Sequence, residues 1–217
     1  MKLETMEEFF TARVDRYDEH MLQNVIGCRE GYIKMAEVIP YGTSSILDLG
    51  CGTGLELDEI LKKFPRMNVT GIDMTESMLA KIKEKHPDKD MRLICGNFFV
   101  VDFGNNIFDC AVSFESMHHF YPERKLEIYK KIYASLKNGG TYIECDYMVG
   151  TQLEQDHYFK LYEDLKKEQN ISKNVYCHFD TPCSVEVQIK LLNEAGFESV
   201  KKVFQMVNTV MLYAQKV

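Results

Sequence analysis

The stretch Asp48-Leu-Gly-Cys-Gly-Thr-Gly54 most constrains what this chain can fold into. It follows a short apolar run, Ser45–Leu49, and opens an amphipathic segment, Leu55–Phe64. Glycines at this spacing permit positive φ and let the backbone approach a ligand with no Cβ in the way. Free amides at the start of the following helix can face a polar or anionic group. Strand, glycine turn and helix in that order predict a nucleotide-type ligand at the carboxyl end of a central strand.

The rest of the chain repeats the same alternation. Further strands are expected at Asn68–Ile72, Met91–Cys95, Phe108–Ser113, Gly140–Tyr147, Glu198–Met206 and Thr209–Gln215. Amphipathic helices are expected at Thr75–Lys85, Glu123–Leu136 and Ser184–Ala195. Such βαβ units build a mostly parallel, doubly wound α/β sheet with helices on both faces. The last two strands are too close together for a crossover, so they form a hairpin and one runs antiparallel. Residues 1–40 read as two N-terminal helices, with Phe9, Phe10, Val14, Tyr17 and Met21 as an apolar series. Residues 148–183 read as an insertion with a helix near Thr151–Gln169 and a loop carrying His178, Asp180 and Pro182. Both are expected to roof the crevice as lids over one domain, whose core spans 41–147 and whose C-terminal helix and hairpin span 184–217.

Composition excludes several classes. The formal net charge of -7 argues against a nucleic-acid partner, whose phosphates demand clustered Lys and Arg. The seven cysteines are scattered, with no CxxC pair, against both a disulfide framework and a zinc site. No apolar run approaches the roughly 18 residues of a membrane span, and the acidic start MKLETMEEFF is unlike a signal peptide. The expectation is a reduced, cytoplasmic protein, monomeric or homodimeric.

Glycine spacing narrows the ligand. A dinucleotide-binding loop, GxGxxG, requires glycine at position 55, where this chain has Leu55, and a Walker-type GK[ST] is absent. Downstream, Val69-Thr-Gly-Ile-Asp73 is an apolar strand ending in a carboxylate, 23 residues beyond Gly50. Asp73 either accepts ribose hydroxyls or caps the helix that follows. With Cys95-Gly-Asn-Phe98, Phe108-Asp-Cys-Ala-Val-Ser-Phe-Glu-Ser-Met-His-His119 and Lys137-Asn-Gly-Gly-Thr-Tyr-Ile-Glu144, these motifs run in register over residues 45–147. The chain resembles the Rossmann-like, class I S-adenosylmethionine-dependent methyltransferases, whose cofactor loop reads (D/E)xGxGxG.

That resemblance implies a seven-stranded sheet of order 3-2-1-4-5-7-6 and S-adenosylmethionine as cofactor, released as S-adenosylhomocysteine. It implies cofactor contacts from Asp48, Gly50, Cys51, Gly52 and Gly54, from Asp73 and Met74, from Asn97 and Phe98, from Ser113, and from Tyr17 in the first helix. Asn97 stands where relatives often carry aspartate; an amide oxygen still accepts from an adenine amino group. Tyr17 equally fits an amphipathic helix packing on the sheet. Proton removal falls to His119, whose imidazole titrates near neutrality, with Glu115 and His118 beside it. The histidine pair also fits plain packing. No further ligand motif accompanies these residues, so no metal is expected. The expected activity is methyl transfer to a small, partly apolar acceptor. Alternatives are a protein or RNA methyltransferase and a non-catalytic cofactor-binding regulator.

Overall fold

Helices α1 (Met6–Gln23) and α2 (Cys28–Val38) precede β1 (Ser45–Leu49), α3 (Leu55–Lys63), β2 (Asn68–Asp73), α4 (Glu76–Lys85) and β3 (Arg92–Cys95). Then come β4 (Phe108–Phe114), α5 (Pro122–Ser135), β5 (Leu136–Tyr147), α6 (Gln152–Glu168), α7 (Val185–Glu194), β6 (Glu198–Met206) and β7 (Thr209–Gln215). The computed structural model describes residues 2–172 and 175–217; residues 1, 173 and 174 of the two expected lids lie outside them. Helix starts follow local chemistry. Thr5 and Glu8 at α1, and Thr151 and Glu154 at α6, form capping boxes that pair the first amides reciprocally.

The sheet runs β3-β2-β1-β4-β5-β7-β6, with β7 antiparallel to both neighbours, as the sequence led us to expect. Successive strand side chains point to opposite faces, so each central strand feeds two cores. Ile46, Val112 and Ile143 meet Tyr32 and Met35 of α2, Ile60 of α3 and Ile82 of α4 on one face. Leu47, Leu49 and Tyr142 meet Ile128 and Ile132 of α5 and Leu192 of α7 on the other. Each fully buried aliphatic side chain contributes about 1.5–3 kcal/mol, and this two-sided burial holds the strand ends in place. Of the seven cysteines, all are free thiols and all but Cys95 are buried.

One boundary moved. β5 begins at Leu136, not Gly140, because Leu136 pairs with Phe108 before the pairing resumes at Cys110 and Thr141. The intervening residues bulge out through Gly139 at φ 79. Opposite the bulge, Asp109 is a clamp. Its carboxylate accepts from Lys137 at 2.7 Å, from the Ser44 and Ser45 amides at 3.0 Å each, and from both serine hydroxyls. Burial pushes its carboxyl up, but these donors outweigh that and hold it well below the ordinary range. A depressed pKa stabilises the fold above the unfolded value of about 3.9 and loses that contribution as pH falls. Asp109→Asn is therefore expected to lower stability by about 1–2 kcal/mol at neutral pH, with the gap narrowing below about pH 4. Urea denaturation at pH 7 and pH 3 checks this; an equal gap at both would contradict it.

Candidate active site

The glycine loop joins β1 to α3 with left-handed backbone at Gly50 (φ 71), Gly52 (φ 47) and Gly54 (φ 78). Four of its amides are engaged. Gly50 and Cys51 N–H both donate to the Ile72 carbonyl, at 2.8 and 3.2 Å, and Gly54 N–H donates to Cys51. Gly52 N–H donates to the Asp73 carboxylate at 2.9 Å. The loop thus offers a close, uncharged contour instead of the anion cradle its glycines suggest. A Cβ on Gly50 would lie 2.7 Å from Ser116, whereas one on Gly52 would make ordinary contact with the Tyr17 ring at 3.7 Å.

A crevice opens along this contour, walled by Gly50, Gly52, Asp73, Met74, Asn97 and Phe98, with Tyr17 and Phe10 of α1 across it. Asp73 also accepts from Thr75 N–H at 2.8 Å, a local Asx-type turn, while the α4 N-cap itself is Thr75. Each Asp73 oxygen therefore keeps a lone pair for a ligand. Burial raises its carboxyl, and the Thr75 and Gly52 amides oppose that shift. Asn97 Oδ1 accepts from Phe99 N–H at 2.9 Å, which fixes the amide at the crevice edge. α1 is latched over the loop by Thr53, whose hydroxyl donates to Asp18, and by the Lys85–Asp18 pair at 3.4 Å.

Four of the sequence-derived residues lie behind the crevice surface. Gly54 is the N-cap of α3, packed on Ile82. Cys51 is buried and packs toward Gly71. Asp48 is fully buried opposite Glu56; burial raises both carboxyls, Asp48 to about 7, with Asp48 adding to the rise at Glu56 and Glu56 opposing it at Asp48. Ser113 points to the other sheet face, 2.7 Å from the Tyr142 hydroxyl, which donates to Glu144 at 2.9 Å. Gln188 completes that network with Glu144, Tyr129 and, at 3.1 Å, Lys125.

At the carboxyl ends of β4 and β5 the crevice meets a second cavity of about 710 Å³. Phe10, Tyr17, Glu115 and His119 wall both spaces. Glu115 sits at φ 46, an uncommon conformation for a long side chain, with one carboxyl oxygen buried and unpaired. Burial raises its carboxyl to about 8, partly offset by His118. His118 Nδ1 lies 2.6 Å from Asp146, and Nε2 lies 3.4 Å from Asp180. Burial disfavours its charge, yet the two carboxylates prevail and keep the imidazolium well above its usual range. His119 is neutral: burial first, then the adjacent His118 charge, push it well below. Its Nδ1 lies 3.3 Å from the Phe179 carbonyl, which selects the Nδ1–H tautomer and leaves Nε2 unprotonated. His178 stacks on Phe9 with ring centroids 3.4 Å apart, and burial lowers it to about 4.

A family model described as a methyltransferase domain matches residues 46–140. The chain is also 31% identical over 184 residues to a carboxy-S-adenosyl-L-methionine synthase of Helicobacter pylori, covering 79% of this chain and 75% of that protein. This chain belongs to the class I S-adenosylmethionine-dependent methyltransferases. To the sterol 24-C-methyltransferase of Saccharomyces cerevisiae it is 29% identical over 198 residues, 88% of this chain and 45% of that one. A putative O-methyltransferase from Nostoc punctiforme shares the methyltransferase fold at TM-score 0.73 and 17% identity, over 98% of this chain and 62% of its own. S-adenosylmethionine is the cofactor of this family, and the uncharged loop and the remaining Asp73 lone pairs suit an adenosyl sulfonium without phosphates. Asp146, Asp180, Ser116 and Phe10 also belong to the site, although the sequence motifs did not assign them. Phe10 stands in the expected apolar series of the first helix, and Asp180 lies in a loop whose return to the strand ends has no sequence signature.

Proposed function

We propose that this methyltransferase acts on a small, partly apolar acceptor held in the 710 Å³ cavity, with His119 as the proton acceptor. The observation that carries this is the shared wall: His119 and Glu115 face both the cofactor crevice and the cavity. Bound S-adenosylmethionine supplies an activated sulfonium methyl, so the chain's own task is alignment, water exclusion and proton removal. Asp73 accepts the ribose hydroxyls through its remaining lone pairs. Met74 and Phe98 flank the adenine, and Asn97 Oδ1 accepts its amino group beside the Phe99 amide. Tyr17 closes over Gly52, so α1 acts as a lid. Phe9, Phe10 and Met21 supply apolar wall, while Arg13, Arg16 and His20 ring the same space. A cavity of this volume suits a drug-sized molecule, which favours a small acceptor over a polymer. The printed names of the relatives, a cofactor-derivative synthase and a sterol methyltransferase, support the same class.

Asp73→Ala is expected to weaken S-adenosylmethionine binding by about 1.5–3 kcal/mol, the range for losing a charged hydrogen-bond partner. Calorimetry on both proteins measures it, and unchanged affinity would return Asp73 to holding the loop alone. Production of S-adenosylhomocysteine across a panel of hydroxyl, thiol and amine acceptors tests the acceptor class; turnover confined to tRNA or protein would refute it.

A further inference from the structure

The cavity floor carries a second constellation that methyl transfer does not require. His118 Nε2 and His119 Nδ1 lie 3.4 and 3.7 Å from the same Asp180 oxygen. The three ligand atoms all fall within 4.8 Å of one another. Zinc bonds of about 2.0–2.1 Å in a tetrahedron put neighbouring ligand atoms roughly 3.3 Å apart, so the two edges to Asp180 need only a small contraction. The other ring nitrogen of His118 bonds Asp146 at 2.6 Å, the outer carboxylate that orients and strengthens a metal-bound histidine. The spacing is also built in. Thr181 donates its amide and its hydroxyl to the His118 carbonyl, at 2.8 and 3.0 Å, which pins the Asp180 loop against the histidine pair. All three side chains wall the 710 Å³ cavity, so a fourth position faces solvent or ligand.

We propose that His118, His119 and Asp180 form a three-ligand site for a divalent transition metal of the zinc class, supported by Asp146 and open to the cavity. Its ligands come from the turn after β4 and the loop before α7, which explains why no short sequence motif announces it. Binding does not depend on the methyl-transfer reading, but it bears on it. Ligation through His119 Nδ1 places the ring proton on Nε2, so a loaded site and a basic His119 exclude each other. Metal occupancy therefore slows methyl transfer to acceptors that need His119 to take their proton.

The test is titration of chelator-treated full-length protein with Co²⁺, followed by visible absorption, and with Zn²⁺ by competition. The expected result is one equivalent per chain, bound in the micromolar range or tighter, with the intense d–d bands of a four-coordinate site. Asp180→Asn removes a ligand and is expected to weaken binding at least tenfold; Asp146→Asn, which leaves all ligands in place, by about 10–100-fold. Absence of stoichiometric uptake by the wild-type protein, or uptake unchanged in both variants, would overturn the site. A chain that binds one cobalt, yet in its metal-free form methylates no acceptor, supports the site and contradicts the methyl-transfer reading. One that methylates but binds no cobalt overturns the site alone.

Discussion

His119→Gln is expected to lower kcat by about 10²–10⁴-fold, the usual contribution of a positioned general base, with S-adenosylmethionine affinity changed only a few-fold. The expectation rests on placement. His119 stands at the junction of crevice and cavity, and its Nδ1 is committed to the Phe179 carbonyl at 3.3 Å. Nε2 is then the one ring atom able to take a proton from an acceptor. Glutamine keeps much of the volume and the polar end but has no titratable lone pair there. Steady-state kinetics with separate calorimetry of cofactor binding distinguishes the roles. A kcat within about threefold of wild type would assign His119 to packing, the alternative that its buried position also allows.

Gly50→Ala is expected to disable the cofactor site almost completely. At φ 71 an alanine costs about 1–2 kcal/mol in backbone strain. The added Cβ would also lie 2.7 Å from both Cβ and Oγ of Ser116. Ser116 has little room to yield, since its hydroxyl is held by the Leu49 and Phe114 carbonyls at 3.0 and 3.1 Å. Overpacking of this kind adds about 1–3 kcal/mol. The sum predicts a fall in melting temperature of roughly 5–15 °C and at least tenfold weaker S-adenosylmethionine binding. Gly139→Ala is the control. Its φ is 79, but a Cβ there meets nothing within 4 Å, so only the backbone strain applies. Equal losses in the two variants would show that the contact with Ser116 does not matter.

The fold was legible because it is written in periodicity and punctuation. The runs Ser45–Leu49, Glu198–Met206 and Thr209–Gln215 carry enough apolar residues between turn signals to mark strands at their observed limits. β5 was misjudged at its start because a bulge leaves no hydrophobic pattern, only the Asn-Gly-Gly that also marks a turn. At the site, spacing placed Gly50, Gly52, Asp73, Met74, Asn97 and Phe98 on one crevice, since all lie at strand ends. It could not give side-chain direction. Asp48 near the end of β1 and Ser113 near the end of β4 look equally well placed, yet strand alternation turns one under α3 against Glu56 and the other toward Tyr142. Nor could it show that the loop amides bond Ile72 and Asp73, because that depends on β2 lying beside β1. The Asp180 loop returns to His118 through long-range hydrogen bonds, which no local pattern encodes.

The central claim is that the crevice above Gly52 holds an adenosyl sulfonium and not a dinucleotide. Calorimetry of the full chain with S-adenosylmethionine, S-adenosylhomocysteine and NAD tests it most directly. The account predicts one site for each of the first two, with dissociation constants of about 1–100 μM, and no heat of binding from NAD. Binding of NAD with no binding of either adenosyl ligand would contradict it.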